Sequence, residues 1–199
     1  MIPFPNKRYK IIYADPPWRF LTFSEKGKGK SPENHYDCMS DEDIYNLPVQ
    51  DIVDHDAILF IWVTYPLIIQ GFNTIESWGF QYKTCAFCWV KTNKRYSINQ
   101  SSFFPEDNFD SFTGLGYWTR ANTELCLLAT RGKPKRVSKS VRQLIYEPIR
   151  EHSRKPDSTR ERIVELCGDL PRIELFSRKK YEGWDAWGNQ VEIWINNMN

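Results

Sequence analysis

The sequence predicts an α/β fold, an open sheet with helices on both sides. Three observations point to it. Six short apolar segments have strand character, helical segments lie between them, and several of the strand candidates are apolar throughout instead of alternating. Continuous apolarity is what a strand covered on both faces requires, and strands interleaved with helices build such sheets. At 199 residues the chain suits a single domain, 1–199, with length for a sizeable core and little room for a second module.

The first strand candidate is YKIIYA (9–14). Ser40-Asp41-Glu42-Asp43 then reads as a capped helix start running through Leu47. AILFIWV (57–63) is the second strand, and a helix from about Pro66 to Ser77 follows, ending near Gly79. YKTCAFCWV (82–90), TELCLLAT (123–130) and QLIYEP (143–148) continue the sheet. A third helix starts at Asp157–Ser158, carries Ile163, Val164 and Cys167 on one face and stops at Gly168. RIELFS (172–177) is the last strand of the pattern. Residues 19–39 and 92–122 lack periodicity. Loops of that length in a compact domain are functional or disordered, and both are placed to cover a site at the sheet edge.

Composition sets limits. Eight Trp, 10 Tyr and 12 Phe exceed ordinary usage; such rings serve the core, but they also stack on nucleobases. A net charge of +2 gives no global basic field, so any contact with nucleic acid is local. Five scattered Cys and no secretory signal point to the reducing cytoplasm. Cys85 and Cys88 lie in a strand-like run where i and i+3 face opposite ways, which argues against a shared metal. The longest apolar runs fall far short of the roughly 20 residues that span a bilayer.

The chemistry begins where the first strand stops, at Asp15-Pro16-Pro17-Trp18. In open α/β sheets, ligands bind beyond the carboxyl ends of strands. Preceding a proline, Asp15 is biased to extended backbone that carries its side chain past the strand end. Two prolines lack N–H groups, so the turn offers carbonyl acceptors and few donors, and Trp18 adds a flat face. A planar ring with an exocyclic amine fits that set: the Asp15 carboxylate and the Pro16 carbonyl bind its hydrogens, and alignment with an activated methyl supplies rate through orientation. The plainer alternative is a turn with a core Trp.

This motif after a short apolar strand resembles the catalytic motif of amino-group adenine methyltransferases, specifically the MT-A70 family. HYDCMSDEDI, AILFIWVT, FCWVKTN, GLGYWTRANTELCLLATRG, HSRKPDS, RIELFSR and WDAWGNQ resemble further family segments, in the family's order. The resemblance implies a Rossmann-like S-adenosylmethionine-dependent methyltransferase fold, permuted so that the catalytic motif precedes the cofactor strand. Accordingly, no G-x-G-x-x-G stands near the N-terminus, which disfavours a dinucleotide dehydrogenase.

Carried over residue by residue, the resemblance implies that Asp15 and Pro16 bind the target amine, with Asp15 also facing the cofactor, while Pro17 and Trp18 shape and stack the base pocket. Tyr36 matches a lid tyrosine, either a base-stacking partner or a loop anchor. Glu124 either bonds the base, orders the lid or is an exposed strand-end charge. Lys155 matches a lysine that reaches the cofactor's carboxylate or the active-site acids. Glu174 is implied to hold the ribose hydroxyls, within the segment of Leu175 and Phe176. Arg178 is implied near the ribose or methionine end. Asn189 and Gln190 match polar positions around ribose and adenine, or else form a turn into a final strand. The sequence departs from the family at Ser177, where Gly or Ala is common, and at Lys179-Lys180-Tyr181, which replaces a His-Asn pair of the RNA-modifying branch. HSRKPD and WDAWGNQ look more like the compact bacterial or phage branch. Glutamine-side-chain methyltransferases begin the related motif with Asn and end it with Tyr, so Asp15 and Trp18 point away from them.

The substrate expected is adenine in DNA, with RNA or a non-catalytic scaffold role as alternatives. A base in a duplex must be flipped out, or be single-stranded already, to reach such a pocket. KGKGK (26–30) reads as solvated surface, and RGKPKRVSKSVR (131–142) as an edge that grips phosphates. With no separate recognition domain visible, specificity is expected in the long loops or in a partner chain, a second copy or a different subunit.

Overall fold

The computed structural model describes residues 2–19, 38–93, 112, 114, 118–150, 154–189 and 191. Tyr36, KGKGK, Gln190 and most of the two long loops lie outside them. Among the described residues, seven strands form one sheet in the order β5-β3-β4-β2-β1-β6-β7. They are β1 (Tyr9–Ala14), β2 (Val53–Val63), β3 (Gln81–Thr92), β4 (Thr123–Arg131), β5 (Leu144–Pro148), β6 (Arg172–Leu175) and β7 (Asp185–Trp187). β1 is parallel to β2 and β6, β6 to β7, and β3 to β5, whereas β4 runs antiparallel to both β2 and β3. This is the expected Rossmann-like α/β architecture.

Alternation along the strands sorts side chains onto two cores. Ile12, Ala14, Leu59, Ile61, Ile173 and Leu175 join one cluster with Ile44, Leu67 and Ile75. Ile11, Tyr13, Phe60 and Trp62 join the other with Ile163 and Cys167. Helices α1 (Asp41–Tyr45) and α2 (Ile68–Ser77) therefore cover one face, and α3 (Ser158–Cys167) the other. Covering both faces is why Ile11–Ala14 of β1 and Ala57–Val63 of β2 can be continuously apolar. Full burial of each large apolar side chain stabilises by about 1.5–3 kcal/mol.

Local signals set the helix ends. The Ser40 hydroxyl accepts the Asp43 N–H at 3.1 Å and caps α1, which ends at Tyr45, two residues before the expected Leu47. Pro66 lies in a 3-10 turn (Tyr65–Leu67) that leads into α2. Gly71 lets α2 approach β2: a Cβ there would lie 2.5 Å from Val63 Cγ1. α3 ends at Gly168, whose φ of 86° L side chains rarely adopt.

Strand boundaries differ from expectation as well, most tellingly at β2 and β6. β2 begins four residues before the apolar run, because Val53 pairs with Tyr9 ahead of the polar residues 54–56. β6 stops at Leu175 instead of Ser177, because Phe176 has φ 63° and turns the chain out of the sheet.

A candidate active site at the strand ends

β1 has β2 on one side and β6 on the other, and the chain leaves the sheet from both β1 and β6 at one level. Ala14 is in register with Ile61 and with Leu175, so Asp15 and Phe176 emerge side by side. Such a divide beyond parallel strand ends is where α/β sheets bind ligands. A cleft of about 240 Å³ opens there, lined by Asp15, Arg154, Lys155, Arg160, Glu174, Phe176, Arg178, Lys179 and Tyr181.

A chain of alternating charges enters the cleft from one side. Lys155 Nζ lies 2.9 Å from Asp15 Oδ1 and 3.2 Å from Glu124 Oε2, and Lys91 Nζ lies 2.6 Å from Glu124 Oε1. β4 supplies Glu124 from its first turn of ladder and β3 supplies Lys91. Burial pushes the Asp15 carboxyl above the usual range, and the Lys155 ammonium offsets only part of that. Burial acts the same way on Glu124, but Lys155 and Lys91 together outweigh it and hold its pKa low. For Lys155 itself burial disfavours the charge, and the two carboxylates overcome this and raise its pKa.

On the other side, Glu174 is 7% exposed and takes a fork from Arg160, with Nε on Oε2 and Nη2 on Oε1, both at 2.7 Å. Arg160 Nη1 donates to Asp157 Oδ1 at 3.0 Å, and its guanidinium lies 3.5 Å from the Tyr181 ring centroid. Asp157, at the start of α3, also accepts from Arg150 and Arg154, at 2.5 and 2.9 Å. Burial raises the Glu174 carboxyl against the pull of Arg160.

The opening turn is pinned from within. Trp18 N donates to the Pro16 carbonyl at 2.8 Å, Met39 N to the Pro17 carbonyl at 3.1 Å, and Trp18 Nε1 to the Trp62 carbonyl at 3.1 Å. Asp15, which keeps 29% side-chain exposure, is thus held by a rigid segment.

The MT-A70 family matches residues 9–190, nearly the whole chain. The protein belongs to the MT-A70 family. It is 32% identical to the Type II methyltransferase M.MunI of a Mycoplasma species, over 95% of this chain and 82% of that protein. It is 28% identical to a putative N(6)-adenosine-methyltransferase MT-A70-like protein of Medicago truncatula, over 92% of this chain and 26% of that one. It is 26% identical to the human N(6)-adenosine-methyltransferase catalytic subunit METTL3, over 93% and 28%. The chain therefore spans most of M.MunI but only about a quarter of those two longer relatives. This MT-A70 chain is a methyltransferase.

The MT-A70 site gathers Asp15, Lys155, Glu124, Glu174, Phe176 and Arg178 at one end of the sheet. Three expectations change, and one alternative falls. Trp18 is 6% exposed and packs in the core, because its indole N–H is spent on the Trp62 carbonyl; it anchors the turn instead of offering an open face. Leu175 is fully buried on the α1/α2 face by strand alternation, so its side chain stays out of the cleft. Glu124 is no exposed strand-end charge, since both oxygens are ion-paired. The basic stretch 131–142 starts at Arg131, seven residues along β4 from Glu124, which is about 24 Å away. It then passes the α3 carboxyl end, where Val137 N donates to the Leu166 carbonyl, so its first half does not flank the cleft.

Asn189 follows β7 and is exposed, next to Gly188, where a Cβ would lie 2.5 Å from the Ser177 carbonyl oxygen. Sequence reasoning missed Lys91, Arg154, Arg160 and Tyr181 as site residues. Arg160 had a readable signal: it lies three residues after Asp157 on the helix face that carries Ile163 and Cys167, and a buried Arg needs a carboxylate. Among the described residues no His, Cys, Asp and Glu group is arranged to hold a metal, and no helix is long and apolar enough to cross a membrane.

Proposed function

We propose that this MT-A70 protein is an S-adenosylmethionine-dependent DNA adenine N6-methyltransferase. The observation that carries the reading is Asp15: a carboxylate at a strand end, held through one oxygen by Lys155 and opening on a cleft whose opposite wall is Glu174. The lining suits the cofactor's chemistry. Arg154, Arg178 and Lys179 offer cations for a carboxylate, Asp15 and Glu174 offer acceptors for an ammonium or for ribose hydroxyls, and Phe176 and Tyr181 offer rings for an adenine. Asn189, which follows β7, would add an amide. When bound, S-adenosylmethionine supplies an electrophilic methyl group.

The chain's own residues prepare the amine. An adenine N6 lone pair is delocalised into its ring, and acceptors on both hydrogens favour the pyramidal, nucleophilic form. The carboxylate of Asp15, which Lys155 approaches at Oδ1, provides one acceptor. The Pro16 carbonyl provides the other through its second lone pair, the first being taken by Trp18 N. As the nitrogen commits its lone pair to the new bond it gains positive charge, which the carboxylate stabilises. Asp15 then takes the released proton, a role that its raised pKa favours. Lys155 fixes the carboxylate's orientation throughout.

DNA is favoured over RNA because identity is higher, and coverage of the relative far greater, for the Type II methyltransferase than for the proteins named N(6)-adenosine-methyltransferases. Purified protein is to be assayed for methyl transfer to matched DNA and RNA oligomers, single- and double-stranded, beside Asp15→Ala. Transfer to DNA adenine that disappears in Asp15→Ala supports the reading. Transfer to RNA alone replaces the substrate, and equal activity of the two proteins removes Asp15 from the chemistry.

A further inference from the structure

We infer that Arg160 is the positioning residue of the cofactor cleft: its guanidinium fixes the Glu174 carboxylate so that one free lone pair on each oxygen faces a vicinal diol. The inference rests on the cofactor reading above and adds a residue to it.

The geometry is a saturated clamp. Nε and Nη2 bind the two carboxylate oxygens in a planar fork, and Nη1 is held by Asp157 at the N-cap of α3. The guanidinium faces the Tyr13 ring at 5.6 Å and the Tyr181 ring at 3.5 Å. Arg160 is 8% exposed and Glu174 is 7% exposed, yet both border the cleft. Glu174 and Tyr13 are in register on β6 and β1 and share the α3 face, so the clamp spans the gap between the two strand ends.

A mere staple between α3 and the sheet would not need these groups. Apolar side chains of similar volume join a helix to a sheet at no desolvation cost, and replacing buried ion pairs by them is often neutral or stabilising. The fork supplies what they cannot, a carboxylate of fixed plane and charge. Each carboxylate oxygen has two lone-pair sites, and Arg160 takes one of each. The remaining pair matches two adjacent hydroxyls. Without the clamp, burial favours the neutral acid, which offers a donor where an acceptor is required.

The test is calorimetric titration with S-adenosylhomocysteine and with its 2′-deoxy analogue, on wild type, Arg160→Met and Arg160→Lys, at about pH 6 and about pH 8.5, either side of neutrality. For wild type, the expected result is clear preference for the ribose ligand at both pH values. For Arg160→Met, affinity for the ribose ligand falls by about tenfold or more, more steeply at the lower pH, and preference over the deoxy analogue collapses. Arg160→Lys keeps the charge without the fork; it should restore the wild-type insensitivity to pH but not the full preference, and it decides the matter should Arg160→Met not fold. Wild type that binds neither ligand overturns the cofactor reading itself. Wild type that binds, with variants that keep its ribose preference or lose affinity equally at both pH values and for both ligands, overturns the role of Arg160 alone.

Discussion

Lys155 Nζ sits 2.9 Å from Asp15 Oδ1 on a side chain that is 11% exposed, so the opening motif and a residue 140 positions later form one unit. The pairing holds the Asp15 carboxylate at Oδ1. Removing the carboxylate while keeping its shape separates chemistry from packing. Asp15→Asn is expected to lower methyl transfer by about a hundredfold or more, the scale of a lost proton acceptor. Its melting temperature should change little, since burial already disfavours the charged form. Initial rates at saturating substrate, with a thermal melt, check both halves.

Lys155→Met leaves Asp15 and Glu124 facing each other, with Lys91 still paired to Glu124. Losing one member of a buried pair costs about 3 kcal/mol or more, most of it the penalty of uncompensated charge. Denaturant unfolding near neutrality should register the loss. It should shrink in mild acid, where Asp15 protonates and the repulsion ends.

The same charges set the protein's pH profile. Lys155 has a raised pKa, so its contribution is fully present below the unfolded value of about 10.4 and fades as pH climbs through the folded value. Glu124 has a lowered pKa, so its contribution is present above about 4.3 and fades as pH falls through the folded value. Asp15 works the other way: its raised pKa makes the folded state bind the proton more tightly, which favours acid. Stability from this cluster should therefore hold across neutrality and fall at both extremes. The acid limb of kcat/KM should lie above the ordinary aspartate value of about 3.9 and move higher still in Lys155→Met.

Much of this was legible in the sequence, because β1 and β2 carry apolar runs, β6 alternates Ile173 and Leu175 with polar residues, and α1, α2 and α3 carry Ser40, Gly79 and Gly168 at or near their ends. Asp15, Lys155 and Glu174 stood out because motif order carried them. Arg160, Lys91 and Tyr181 did not, since an Arg, a Lys or a Tyr in a mixed segment reads as surface until its partner across the sheet is known. Trp18 misled for a related reason. A tryptophan beside an active-site acid suits both stacking and anchoring, and only the Trp62 carbonyl, 44 residues away, decides it. The end of β6 was hidden too, because nothing in RIELFS signals that Phe176 takes φ 63°.

That turn yields the last prediction. Phe176 and Ser177 leave β6 against the segment that follows β7: Ser177 N donates to the Trp187 carbonyl at 3.0 Å, and the Phe176 ring meets Trp187 edge-on at 5.5 Å. Gly188 completes the contact, with its position for a Cβ 2.5 Å from one backbone oxygen and 2.9 Å from a backbone nitrogen of Ser177. Backbone atoms cannot rotate aside as a side chain would, so Gly188→Ala has to part the two strand ends. Overpacking of this kind costs about 1–3 kcal/mol. The displacement falls between Phe176, which lines the cleft, and Asn189, which follows Gly188. Gly188→Ala should thus weaken S-adenosylmethionine binding more than a surface substitution of equal destabilisation, such as one on the exposed face of α2. Titration of both variants, compared at matched melting temperature, separates a damaged cleft from a merely loosened fold.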